Sequence, residues 1–91
     1  MQTTFYEPRY KDGKIVAFAD VDVADGVIVR GFRVVDGEKG LFAAVPSRGV
    51  KVDGQMRYMN QVVFANPELK ERFLAELLEA YRKWDQDRNA S

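Results

Sequence analysis

A chain of 91 residues, 46% of them apolar, makes one domain with a small core. It has neither cysteine nor histidine, which excludes disulfides, thiolate metal sites, cysteine nucleophiles, Ser-His triads and the usual imidazole base. Fourteen basic residues balance fourteen acidic ones, so any contact with nucleic acid has to come from a local patch.

Met1 to Tyr6 shows no basic segment running into an apolar one, and no apolar run approaches a membrane span. The chain reads as soluble and cytoplasmic. Residues 1–13 read as an arm: Phe5, Tyr6 and Tyr10 favour a strand, but Pro8 limits it to a sheet edge or an irregular segment. Asp12-Gly13 is a hairpin signal. Lys14 to Val23 alternates cleanly, with Ile15, Ala17, Ala19, Val21 and Val23 on one face and Lys14, Val16, Phe18, Asp20 and Asp22 on the other. Asp20 and Asp22 share a face, as a carboxylate pair or a metal site would require, but beside the Asp25-Gly26 turn they read as a solvated strand end. Val27 to Val35 is β-branched and apolar on both faces, which predicts a central strand. Gly31 within it marks a bulge or a close backbone approach.

Arg33 to Ser47 reads as strand, turn, strand, stop. Asp36-Gly37 and Gly40 are expected to supply positive φ for the reversal. Leu41 to Val45 is an unbroken apolar run, expected to be buried on both faces, and Pro46 ends it. These glycines follow no Walker or dinucleotide pattern, and Ser47 has no histidine to activate it. No enzymatic activity, metal, cofactor or small-molecule substrate is indicated. Ser47 to Gly54 reads as an exposed loop. Gln55 to Phe64 alternates again, as a fourth or fifth strand.

The period then changes. Asn66-Pro67 is a helix start. Leu69, Phe73, Leu77, Tyr81 and Trp84 form a stripe that Leu74 and Leu78 widen. The expected helix covers residues 66–84, and the polar tail 85–91 is expected to fray. The fold class is therefore α+β: a small antiparallel sheet of four to five strands within residues 14–65, followed by one amphipathic C-terminal helix. One helix covers only one face of such a sheet, so a homodimer is expected to hide the other face or pair the strand edges.

Basic excess is confined to residues 45–66, where Arg48, Lys51 and Arg57 face Asp53 alone. Basic groups there can neutralise phosphates, and Tyr58 can stack on an exposed base. Arg82 and Lys83 beyond the helix stripe could join them. The alternative is a protein-interaction module working through an exposed strand edge or the helix end at Trp84.

Arg33-Val34-Val35-Asp36-Gly37 followed by Gly40-Leu41-Phe42-Ala43-Ala44-Val45-Pro46-Ser47-Arg48 resembles the core block of the stage V sporulation protein G (SpoVG, septation regulator) family. Asp53-Gly54 with Arg57, and the helix from Pro67 to Tyr81, resemble the elements that follow it. The resemblance implies a small dimeric bacterial regulator that binds DNA and, in some members, RNA, acting on septation, sporulation, capsule or virulence genes. It implies nucleic-acid contacts at Arg48 and Arg57, and at Arg82 and Lys83. Three departures stand out. Tyr58, Gln61 and Val62 replace an Asp and a His-Pro of the family, Glu7 and Pro8 interrupt the first strand, and the acidic extension is reduced to Asp85 to Ser91.

Overall fold

Four strands follow one another into an antiparallel sheet whose spatial order is the chain order: β1 (Gln2–Tyr6), β2 (Ile15–Ala24), β3 (Val27–Gly37) and β4 (Gly40–Ala44). The computed structural model describes residues 1–9 and 13–90. Two shorter strands, β5 (Ser47–Val52) and β6 (Gln55–Asn60), make a separate two-stranded sheet, and one helix, α1 (Pro67–Asn89), follows. The fold is α+β, as expected. The Asp12-Gly13 signal lies partly outside the described residues.

Local turn chemistry sets the reversals. Asp25 and Gly26 both have positive φ (36° and 94°), as a two-residue hairpin turn needs to match strand twist. The Asp22 carboxylate accepts the Gly26 N–H at 3.1 Å. Between β3 and β4, Glu38 and Lys39 form the turn and only Gly40 has positive φ, at 114°. Asp36 and Gly37 stay in the strand, opposite Leu41 and Gly40, which corrects the expectation that they carry the reversal. A Cβ on Gly37 would lie 2.8 Å from the Phe42 ring, so any larger residue there would displace that ring.

The inner face of the sheet is built from alternate residues. Phe5, Ala17, Ala19, Val21, Phe32, Val34 and Ala43 are buried, together with Val45, Leu77 and Tyr81. Gly31 has φ of 95°, and the register gains one residue on β3 between the pairs Ala19–Phe32 and Val21–Val29. This bulge switches the inward side from even to odd positions, so Val29 joins the core while Ile28 is left exposed. A Cβ at Gly31 would make only ordinary contact with the Pro46 ring at 3.5 Å, so the bulge and its positive φ, rather than a close approach, account for the glycine.

Two sequence expectations change here. Leu41 to Val45 is not buried on both faces. Its strand is the last in the sheet, so Phe42, whose side chain points away from the core, is 49% exposed. The helix also outruns its expected end, because residues 85–89 stay helical. Their order has a physical source in Arg88. Its guanidinium pairs with Asp85 at 3.0 Å, pairs with Glu7 beyond β1, and lies 4.2 Å above the Trp84 ring.

The helix start is as expected. Leu69 N–H donates to Asn66 Oδ1 at 2.8 Å, and Pro67 opens the first turn. The stripe then buries Leu77 and Tyr81 fully or nearly so, with Phe73, Leu74, Leu78 and Trp84 half-buried. Ring contacts extend the core at both ends: Phe32 and Phe64 on Phe73 at 5.5 and 5.3 Å, Phe5 on Trp84 at 5.5 Å. Leu69, one turn earlier, remains exposed. No helix among the described residues is long and apolar enough to cross a membrane.

Burial pushes the Tyr81 hydroxyl above its ordinary value of 10.0, Asp85 adds to the shift and Arg88 opposes it. The folded chain therefore holds this proton more tightly than the unfolded chain. The resulting stability is fully present below about pH 10 and is lost as pH rises through the folded value. Urea unfolding at pH about 8 and about 11 is expected to show a larger loss for the wild type than for Tyr81→Phe.

Candidate nucleic-acid interface

Ser47 to Gly54, a loop by composition, instead supplies β5 and the turn of a hairpin whose second strand, β6, falls in the expected Gln55 to Phe64 strand. Asp53 and Gly54 both have positive φ (49° and 79°), the signature of a two-residue turn that matches strand twist. Val50 and Val52 on one side and Gln55 to Asn60 on the other supply the paired strands, from Ser47 opposite Asn60 to Val52 opposite Gln55. Charge and glycine content suggest a loop, but turn geometry and β-branching decide the conformation. The last strand also ends earlier than expected, at Asn60. Val62 and Phe64 then turn in to pack on the core from non-strand backbone.

This ribbon pairs with no strand of the main sheet. Its base is held where it leaves the core. Gln61 N–H donates to the Pro46 carbonyl at 2.7 Å, and Arg33 Nη2 donates to the Val45 carbonyl at 3.1 Å. Beyond that base, every residue of β6 is exposed.

Pairing register sorts the candidate residues onto two faces. Arg48 lies opposite Met59 and Val50 opposite Arg57, so Arg48 and Arg57 are diagonal neighbours on one face. Gly49 lies opposite Tyr58 and Lys51 opposite Met56, so Lys51 and Tyr58 share the other face. All four side chains are exposed. The ribbon thus brings Arg48, Lys51, Arg57 and Tyr58 into one projecting element, with Asp53 at its tip the sole acidic group from 47 to 60.

Arg82 and Lys83 do not join this group. They sit on α1, fifteen or more residues after Pro67, roughly 20 Å along the helix axis from its start. Arg82 pairs with Glu79 at 3.5 Å. Lys70 is the cation that sequence reasoning misses. It lines clefts with Asn60 at the ribbon base and with Arg33 and Ala44 beside β4. Its place depends on how the helix start docks against the ribbon base, which no local pattern signals. Gly49 is likewise missed, since its importance emerges only once Tyr58 is known to lie across from it.

Asp20 and Asp22 have ordinary partners. Asp20 accepts from the Tyr6 hydroxyl at 3.3 Å and lies 3.6 Å from Arg30, while Asp22 caps the Asp25-Gly26 turn. Trp84 is half-buried against Phe5 beneath Arg88. The face of the main sheet away from the helix carries Tyr6, Phe18, Arg33 and Ala44 in one cross-strand row, with Val35 and Phe42 beside it.

The SpoVG family model matches residues 3–83, which takes in the sheet, the ribbon and most of the helix. The chain is 36% identical over 73 residues to septation protein SpoVG of Lachnospira eligens, covering 80% of each chain. It is 35% identical over 72 residues to the protein of that name from Agathobacter rectalis, covering 79% of each. With that of Archaeoglobus fulgidus it shares 33% identity over 72 residues, 79% of this chain and 81% of the other.

A two-stranded ribbon outside the main sheet is held by few packed side chains and opens at low free energy. Amide hydrogen exchange is expected to be faster throughout β5 and β6 than in β2 and β3.

Proposed function

The chain belongs to the SpoVG family, and on that premise we propose that it is a septation- or sporulation-related regulator that binds nucleic acid through the β5–β6 ribbon. The observation that carries the reading is the ribbon itself: a projecting hairpin, cationic on both faces, with no packing role for its outer half. A two-stranded ribbon is one of the two elements that the major groove of duplex DNA admits. Arg48 and Arg57 on one face can each take a phosphate, and Lys51 adds a third charge from the other. Lys70 at the ribbon base extends the positive track, and Arg82 and Lys83 give long-range attraction rather than direct contact. The reading covers DNA and RNA, assigns no catalytic role and takes the cytoplasm as the compartment.

Binding is expected to weaken steeply with salt. Replacing Arg48 and Arg57 together by Ala is expected to lower affinity across sequences and to reduce the slope of log K against log salt by about 2, because two counterion-releasing contacts are lost. Titration of a labelled probe over a salt series checks this. If the wild type shows no salt-sensitive binding to any DNA or RNA probe, the protein-interaction reading takes its place. That reading rests on β4, whose free edge carries neither charge nor proline from Gly40 to Ala44.

The same uncovered edge and face support a homodimer as the working unit. Phe18, Val35 and Phe42 lie on the side of the sheet that α1 does not cover, and a second copy would remove them from water and present the ribbon twice. Light scattering is expected to give the dimer mass for the wild type and the monomer mass for Phe42→Asp. A monomeric wild type at micromolar concentration would overturn the dimer.

A further inference from the structure

The two faces of the ribbon differ in chemistry, and only one bears an aromatic ring. Tyr58 is opposite Gly49. A Cβ on Gly49 would lie 3.3 Å from Tyr58 Cε1 and 2.8 Å from the Met56 methyl. Gly49 has no positive φ, so its backbone does not require glycine, and an added Cβ would crowd the Tyr58 ring edge and the flexible end of Met56. With that space open, an edge of the Tyr58 ring leans over the bare β5 backbone. Filling a strand glycine with a cross-strand aromatic supports register, yet this ring is 74% exposed. One edge of the ring therefore faces the β5 backbone, and most of its surface is open to a ligand.

Its neighbours on the same face suit one ligand class. The pairs Lys51–Met56 and Ser47–Asn60 flank it on the two sides. Lys51 can hold a phosphate as a point charge, and the Asn60 amide can both donate to and accept from a base edge. Stacking a base on an aromatic face is tolerant of sequence, but the π-face of the base has to be free. In a duplex those faces are taken by neighbouring base pairs.

We infer that the Lys51–Tyr58 face of the ribbon is a seat for one unpaired nucleobase, that Gly49 makes room for the ring that receives it, and that the Arg48–Arg57 face holds phosphates. This inference rests on the ribbon being the nucleic-acid contact. It adds that single-stranded segments, of RNA or of DNA, are preferred where a base is free to stack.

The test uses the full chain and four labelled probes: oligothymidylate, oligouridylate, and for each sugar a strand of equal length carrying abasic sites. Wild type is expected to bind a base-bearing strand about tenfold more tightly than its abasic partner, within the usual range for one stacked base. Tyr58→Leu is expected to erase that difference while leaving abasic binding unchanged. Tyr58→Phe is expected to keep it. Gly49→Thr is expected to act like Tyr58→Leu by lifting the ring off the strand. A difference seen only with the uridylate pair assigns the seat to RNA, and one seen only with the thymidylate pair assigns it to DNA. Equal wild-type binding to base-bearing and abasic strands would overturn the seat and leave the phosphate role of the ribbon standing. The seat is overturned as well if Tyr58→Leu weakens both kinds of strand alike, since a merely structural tyrosine behaves that way. No binding to any of these single strands overturns the seat, and the absence of salt-sensitive binding to a duplex probe as well overturns the nucleic-acid reading of the ribbon.

Discussion

The packing of α1 across one face of the four-stranded sheet is the interaction on which the other features depend. Leu77 and Tyr81 share a buried cluster with Ala17, Ala19 and Val21 of β2 and with Phe32 and Val34 of β3. The two alanines matter by their size, because a small side chain at the sheet centre leaves room for the larger ones above it. Each fully buried large apolar side chain, such as Phe32 or Leu77, contributes about 2–3 kcal/mol of transfer free energy. A chain this short has few such residues, so the core has little stability to spare. The bulge at Gly31 and the ion pairs of Arg88 extend the core's reach, one by turning Val29 inward and the other by fixing the helix end beside β1.

That packing also defines what lies outside the core. The ribbon leaves it at Pro46, beside Gly31, and returns at Gln61, and the Pro46–Gln61 backbone hydrogen bond closes its base. Its charges therefore stand clear of the low-dielectric interior, where each would be costly to bury. The sheet face opposite the helix is the other exposed surface. Its Tyr6–Phe18–Arg33–Ala44 row sets apolar groups around the guanidinium that also holds the Val45 carbonyl at the ribbon base. Arg33 thus links the sheet face away from the helix with the base of the ribbon.

Much of the architecture is legible in the sequence because it is set by near neighbours. Asp25-Gly26, Asn66-Pro67 and the alternation of Ala17, Ala19 and Val21 each specify a turn, a cap or an inward face within a few residues. The basic segment holding Arg48, Lys51 and Arg57 is visible in the same way, as a local imbalance of charge. The first strand of the ribbon reads as a loop because its composition is polar, although Asp53-Gly54 carries the hairpin signal, while the second strand is legible from its alternation. In the helical tail, composition predicts fraying, and a contact from Arg88 to Glu7, distant in the chain, keeps it ordered.

The sequence by itself determined most of the turns, where the helix begins, which face of β2 is buried from Ala17 to Val21, and where positive charge concentrates. All of these depend on backbone preferences and periodicity over short spans. Only the tertiary structure decided that β4 is an edge with Phe42 outside, that β5 and β6 stand apart from the main sheet, and that Arg48 and Arg57 share one face while Lys51 and Tyr58 share the other. Those outcomes depend on which strands pair and in what register, and a shift of one residue would move each side chain to the opposite face.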